Sequence, residues 1–265
     1  MEKDSIFKVF GVAAAICLVC SVLVSLTATS LKEKQRENML LDKQINVLKA
    51  AGLVELAAKP SPAQVKELYA KIEPIVVDTK TGETVEGTDP ESLDLNRQLK
   101  DPDASAEIEP KADVAGIKRV PNESVVYLVK DDSGKVASVV LPVYGRGLWS
   151  TLYGFLALDS DLATVKNLTF YQHGETPGLG GEVQNPDKMA KWSGKSAYGP
   201  DGKPAVHFKK GTVSPEDPNA QYEVDGFSGA TLTCNGVNNT VSYWLGENGF
   251  GPLLAKMKAA GQSGK

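Results

Sequence analysis

Apolar residues are unevenly spread along this chain. From Val9 to Leu31 they run without a single charge, rich in Val, Ala, Leu and Ile. That is longer than the about 20 residues a bilayer-spanning helix needs. From Lys32 to about Ala58 charges intervene, with Leu40, Leu41, Val47, Leu48, Leu53 and Leu56 interspersed. This pattern predicts a helix that continues outward and then docks on a folded domain, weakened at Gly52. Pro60-Ser61-Pro62 breaks it. Ser61 then caps a new helix, with Pro62 at its first position and Val65, Leu68, Tyr69 and Ile72 on its buried face. The predicted division is 1–31 as a transmembrane anchor, 32–60 as a connecting helix and 61–265 as the domain.

The period then changes from helical to two. Ile75-Val76-Val77 reads as a short strand, with Thr81-Gly82 as a turn. From about 88 to 122 the chain is acidic, Pro-containing and poor in large apolar residues, which predicts a solvated surface excursion. Val125–Val129 and Val136–Val143 flank Asp132-Ser133-Gly134, a hairpin signal. Tyr153–Leu158 and Thr164–Tyr171 are two more strands. Consecutive strands with short links predict antiparallel pairing, hence an α+β domain with a mainly antiparallel sheet flanked by helices. Asn185–Trp192 reads as a short helix and Ala205–Phe208 as a strand. Val237, Val241, Trp244 and Leu245 recur at spacings of three and four, a helix ended by Gly246 and Asn248-Gly249. Pro252–Ala260 is a last short helix.

With 265 residues and 42% hydrophobic content, the chain can bury one real core outside the anchor. Its net charge of −4 gives no basic footprint for nucleic acid. Glu2 and Asp4 cancel Lys3 and Lys8, and the apolar run is long, which favours an uncleaved anchor over a signal peptide. Lys32, Lys34, Arg36 and Lys43 outnumber Lys3 and Lys8, so the positive-inside rule leans toward a cytoplasmic C-terminal domain. Cys17 and Cys20 form C-x-x-C inside the membrane run, without a second pair to complete a four-thiolate cluster. They read as small polarizable residues of a membrane helix, with a contribution to a cluster shared with another subunit as the alternative. Cys234 is the one cysteine of the remaining chain.

The most informative stretch is Asp225-Gly226-Phe227-Ser228-Gly229-Ala230-Thr231-Leu232-Thr233, at a loop-to-helix junction. A helix N-terminus offers unpaired N–H groups and partial positive charge to a phosphate. Gly229 and Ala230 are small enough for close backbone approach. The Thr231 hydroxyl can hydrogen-bond a phosphate or be esterified by one, and Thr233 is the rival hydroxyl. Asp225 makes more sense as ligand of a metal present during an attachment reaction. The competing reading is a plain helix cap.

The pattern resembles the flavinylation motif of bacterial proteins that carry FMN on Thr through a phosphoester. Asp225, Ser228, Gly229, Ala230 and Thr231 match it, with Thr231 the attachment residue. The chain resembles, nearly end to end, the NqrC family of the sodium-translocating NADH:quinone reductases, with the corresponding flavin protein of the Rnf complex as its related neighbour. That resemblance implies covalent FMN and a single-pass anchor in the bacterial inner membrane. It places the domain on the periplasmic side, against the charge rule. It implies the other members of the multi-subunit complex and a flavin transferase as partners, and electron transfer from NADH to ubiquinone coupled to sodium export. No complete active site lies in this chain. In the family, a loop resembling Glu175-Thr176-Pro177-Gly178-Leu179-Gly180 packs on the flavin ring. By that resemblance Thr176 and Leu179 touch the ring and Glu175 lines the pocket, with Gly178 in the same turn.

Three further readings complete the picture. Arg146 and Trp149, close in sequence, suit stabilisation and stacking of a reduced flavin; the competing reading is a surface Arg and a core Trp. His173 and Glu175 raise the question of a metal, but His207 is the one other histidine and no ligand helix accompanies them, so no metal site is expected. A membrane-anchored binding module without flavin is the alternative of another class.

Overall fold

The computed structural model describes residues 6–263. Helix α1 runs over Ile6–Ala50 and α2 over Pro62–Tyr69; strand β1 is Ile72–Asp78. Then come α3 (Leu95–Gln98), β2 (Ser105–Glu107), β3 (Arg119–Pro121), β4 (Glu123–Lys130), β5 (Val136–Arg146), β6 (Thr151–Asp159) and β7 (Val165–Gln172). The chain ends with α4 (Pro186–Met189), β8 (His207–Lys209), β9 (Glu223–Asp225), α5 (Thr231–Leu245) and α6 (Gly251–Ser263). It divides into two compact units between Lys43 and Gln44.

Among the described residues the first unit is helix alone. Phe7, Phe10, Ile16, Leu18 and Val24 stand more than half exposed on it. Its hydroxyls bond back to the helix: Thr27 donates to the Leu23 carbonyl at 2.7 Å and Thr29 to that of Ser25 at 2.8 Å. An apolar helix with its polar groups satisfied internally is what a lipid environment demands. It is long and apolar enough to cross a membrane, with Val9–Leu31 spanning about 35 Å at 1.5 Å per residue.

In the second unit, the last turns of α1 are buried through Val47, Leu48 and Ala50. The predicted cap of α2 is present: Ser61 and Gln64 form a reciprocal capping box. The helix stops at Tyr69, however, and Ile72 opens β1 rather than closing the helix face. The main sheet has the order β1-β4-β5-β6-β7, each pair antiparallel. On β5, Val139, Leu141 and Val143 alternate onto the core cluster that also holds Val237, Val241 and Trp244 of α5. Val140 lies on the other face, where the Phe155 ring contacts those of Tyr127 and Tyr171. Both faces are covered, so the strand reads as a continuous apolar run.

The stretch 88–122 is more ordered than its composition predicts. It holds two short helical turns and the antiparallel ribbon β2–β3. Arg119 organises the ribbon, donating from Nε to Ser105 Oγ at 2.9 Å and from Nη1 to Glu107 at 3.0 Å. Ala115 from this segment is buried in the core. A separate pair, β8 and β9, is parallel and leads into α5.

Candidate functional site

Three segments meet at one end of the sheet because of its register. β5 and β6 pair from Ser138–Asp159 out to Arg146–Thr151, so Gly147-Leu148-Trp149-Ser150 is the tip of a hairpin. β7 pairs with β6 up to Gln172 opposite Tyr153, so the loop from His173 leaves from the same end. α5 lies along β5 and points its N-terminus there. A Cβ on Gly236 would collide with the Arg146 carbonyl, and one on Gly145 with Thr240. Further along, Trp244 Nε1 donates to the Tyr144 carbonyl at 2.7 Å. Following this alignment back, Thr231–Thr233 reach the hairpin tip.

Glu175 ties the three segments together. The residue is 5% exposed. Oε1 accepts from the N–H of Trp149 at 2.9 Å and of Ser150 at 3.4 Å. Oε2 accepts from the N–H of Leu148 at 3.2 Å and from the Thr233 hydroxyl at 2.6 Å. Glycines make room for it: a Cβ on Gly147 would stand 2.6 Å from Oε1, and one on Gly180 2.7 Å from Oε2. Burial pushes the Glu175 carboxyl up, but the four donors outweigh it and hold it below the usual range. Glu175 therefore lies beneath the surface as a clamp rather than lining an open pocket. His173 Nδ1 accepts from the Glu175 N–H at 3.1 Å and fixes its backbone.

Above this clamp the side chains point to solvent. Thr231 is exposed and is the first residue of α5, not its cap. The cap is Ala230, which makes no side-chain cap bond. The first helical bond is Cys234 N–H to the Ala230 carbonyl, at 3.0 Å. The first turn of α5 thus lacks carbonyl partners for its N–H groups, the geometry that holds a phosphate. Thr233 is 1% exposed and its hydroxyl is committed to Glu175. Of the two hydroxyls, Thr231 alone is open to modification.

Large apolar side chains stand exposed on the segments that meet here. Leu232 is 60% exposed, Trp149 69%, Leu179 44% and Leu148 39%. Trp149 is thus not a core residue. Gly229 adopts φ +73°, and a Cβ there would stand 3.0 Å from Leu179 Cδ2, so this glycine brings the 176–179 turn against the motif. In that turn the Thr176 carbonyl accepts from Leu179 N–H at 3.1 Å and from Gly181 N–H at 2.9 Å, and Gly178 takes φ +76°. Thr176 and Ser228 are exposed. Arg146 closes β5 with its side chain exposed and its base against Gly116.

Asp225 stands at the entry to the motif with both carboxylate oxygens engaged. Oδ2 accepts from Lys191 Nζ at 2.5 Å and Oδ1 from Val213 N–H at 2.7 Å. The Lys191 bond first, and the Val213 bond after it, hold its carboxyl below the usual range. Cys234 accepts from Phe227 N–H at 3.3 Å, and burial pushes its thiol up, away from reactivity. A cavity of about 1290 Å³ opens at the far end of α5 around Tyr198, Tyr243, Leu245 and Leu254, and none of the predicted site residues lines it.

Sequence reasoning missed Lys191, Leu148 and Leu232. Lys191 approaches Asp225 across 34 positions, which no spacing rule could reach. Leu148 and Leu232 each adjoin a predicted residue, but isolated leucines carry no sign of exposure.

Comparison with known proteins follows this geometry closely. A family model described as FMN-binding domain matches residues 147–246, from the hairpin tip to the end of α5. The NqrC component of the Na(+)-translocating NADH-quinone reductase of Yersinia pestis is 46% identical over 258 residues, covering 97% of this chain and 95% of that protein. Its counterpart in Pseudomonas aeruginosa is 47% identical over 258 residues, covering 97% and 98%. The crystal structure of Shewanella oneidensis NqrC superposes with a TM-score of 0.75 at 36% identity, covering 86% of this chain and 99% of that one. The corresponding protein from Parabacteroides distasonis superposes at 0.63 with 26% identity, covering 84% and 96%.

Proposed function

We propose a function from one premise: this chain belongs to the NqrC family of the Na(+)-translocating NADH-quinone reductases. It is an electron-transfer subunit that carries FMN as a phosphoester on Thr231. The observation that carries this reading is the uncapped N-terminus of α5 with an exposed hydroxyl on its first residue, where the segments bearing exposed Leu148, Trp149, Leu179 and Leu232 meet. The helix end suits the phosphate, and the exposed apolar side chains suit the face of an isoalloxazine.

The flavin would supply the redox chemistry; the protein supplies place and electrostatics. Thr231 fixes the cofactor against diffusion. Leu179 and Trp149 shield the ring from water. Arg146 offers a cation to the charge gained on reduction. Asp225 serves during attachment, when Lys191, itself half exposed, swings away to free the carboxylate for a metal. A flavin transferase that draws on FAD performs that attachment.

Helix α1 anchors the chain in the inner membrane, and the second unit lies on the periplasmic side. The partners are the other subunits of the complex, which take electrons from NADH, deliver them to ubiquinone and export sodium. The relatives' names favour this complex over the Rnf reading, and the FMN-binding match disfavours a binding module without flavin.

The test is a denaturing gel of membrane-purified protein viewed for flavin fluorescence, beside Thr231→Ala. Wild type is expected to fluoresce and the variant to be dark. Flavin retained covalently by Thr231→Ala would overturn the assignment.

A further inference from the structure

The Glu175 carboxylate has an unusual surrounding for a buried anion. Its four donors are three backbone N–H groups and one hydroxyl, all neutral. Among the described residues it takes part in no ion pair. Its partners are Leu148, Trp149 and Ser150 of the hairpin tip, the first two carrying exposed apolar side chains, and Thr233, two positions from the proposed ester on α5. A full negative charge therefore sits just under the proposed flavin platform, compensated only by dipoles, including the N-terminus of α5.

We propose that Glu175 is a positioning and potential-setting residue, whose cation-free carboxylate holds the hairpin tip to α5 and keeps the reduction potential of the flavin low. The inference rests on the flavin reading above. The ring gains negative charge as it accepts electrons, and a fixed negative charge nearby makes that gain less favourable. Burial weakens solvent screening, so the field persists over several ångströms. The two functions are separable, because one follows from the charge and the other from the hydrogen bonds.

The experiment is a spectroscopic redox titration of the flavin-loaded full chain in detergent, with dithionite as reductant. Glu175→Gln keeps the shape and an acceptor oxygen but removes the charge; its midpoint potential is expected to rise. Thr233→Val keeps the shape and the charge but removes the shortest donor. The less compensated carboxylate is expected to lower the potential. A merely structural residue would loosen the same clamp in both variants and shift both potentials the same way. Shifts of the same sign, or none, overturn the potential-setting claim. If one variant fails to fold, the sign of the other decides.

Positioning is read without flavin, in a Thr231→Ala background. Trp149 is exposed whereas Trp192 and Trp244 are 0% and 1% exposed. Acrylamide quenching therefore reports mainly on the hairpin tip. Both variants are expected to change it, and unchanged quenching overturns the clamp. A wild-type protein without covalent flavin would overturn the parent reading, and this one with it. A fluorescent wild type with the wrong signs would overturn this one alone.

Discussion

Thr231 and Thr233 carry the same hydroxyl two positions apart, yet helical geometry gives them opposite fates. Thr231 faces solvent on the first residue of α5, while Thr233 turns into the core and bonds Glu175 at 2.6 Å. Thr231→Ala is therefore expected to abolish covalent FMN while changing stability by no more than about 0.5 kcal/mol, because an exposed non-cap residue is lost. Gly229 is a second sharp test. Gly229→Ala must adopt φ +73° and meet Leu179. A cost of roughly 1–2 kcal/mol follows from left-handed strain, together with reduced flavin incorporation on the same gel. Glu175 adds a pH dependence. Its carboxyl is held below the usual range, so its contribution is complete above about pH 4.3, the ordinary carboxyl value. It fades as pH falls through the lower folded value, because the unfolded chain binds the proton first. Acid unfolding of wild type and Glu175→Gln should therefore converge below that pH, as followed by Trp fluorescence.

At the scale of elements, α5 on β5 sets the site. Gly236 lets the helix meet the Arg146 backbone. Gly236→Ala gains about 1 kcal/mol of helix propensity but overpacks at a cost of about 1–3 kcal/mol. A net loss of thermal stability is expected, with poorer flavin loading as the α5 N-terminus shifts. Trp244→Phe should cost about 1–3 kcal/mol by leaving the buried Tyr144 carbonyl unpaired. The strands and α5 were legible in the sequence because their apolar periods are local properties. So was the loop-to-helix junction at 225–233, whose residues are contiguous. The β2–β3 ribbon was not legible: its order comes from Arg119 bonding backward to Ser105 and Glu107, contacts that leave no period. The role of Glu175 was hidden for the same reason. The resemblance put Glu175 at the pocket, but its hydrogen-bond partners come from two other segments, which no local pattern reveals. Ile72 was misplaced because helix and strand abut there, and an apolar residue at the junction fits either pattern.

At the scale of the whole molecule, the N-terminal helix and the folded unit are expected to answer to different solvents if α1 is the proposed anchor. The full chain is expected to remain in the membrane pellet after alkaline carbonate washing, whereas a chain beginning at Gln44 should leave with the supernatant. Release of the full chain would argue against α1 as an anchor. Charge and kinship disagree on orientation. Lys32, Lys34, Arg36 and Lys43 lean one way by the positive-inside rule, and the family resemblance leans the other. External trypsin added to spheroplasts is expected to digest the second unit, in line with a periplasmic location. Protection of that unit until the membrane is broken would place it in the cytoplasm.

The most direct test of the central claim is mass spectrometry of the wild-type protein from membranes of a host that makes the flavin transferase. Trypsin cuts after Lys210 and Lys256, so a single peptide holds Ser228, Thr231 and Thr233. Its fragment spectrum is predicted to place an FMN phosphoester on Thr231. An unmodified peptide, or FMN on Ser228 or Thr233, would contradict the account.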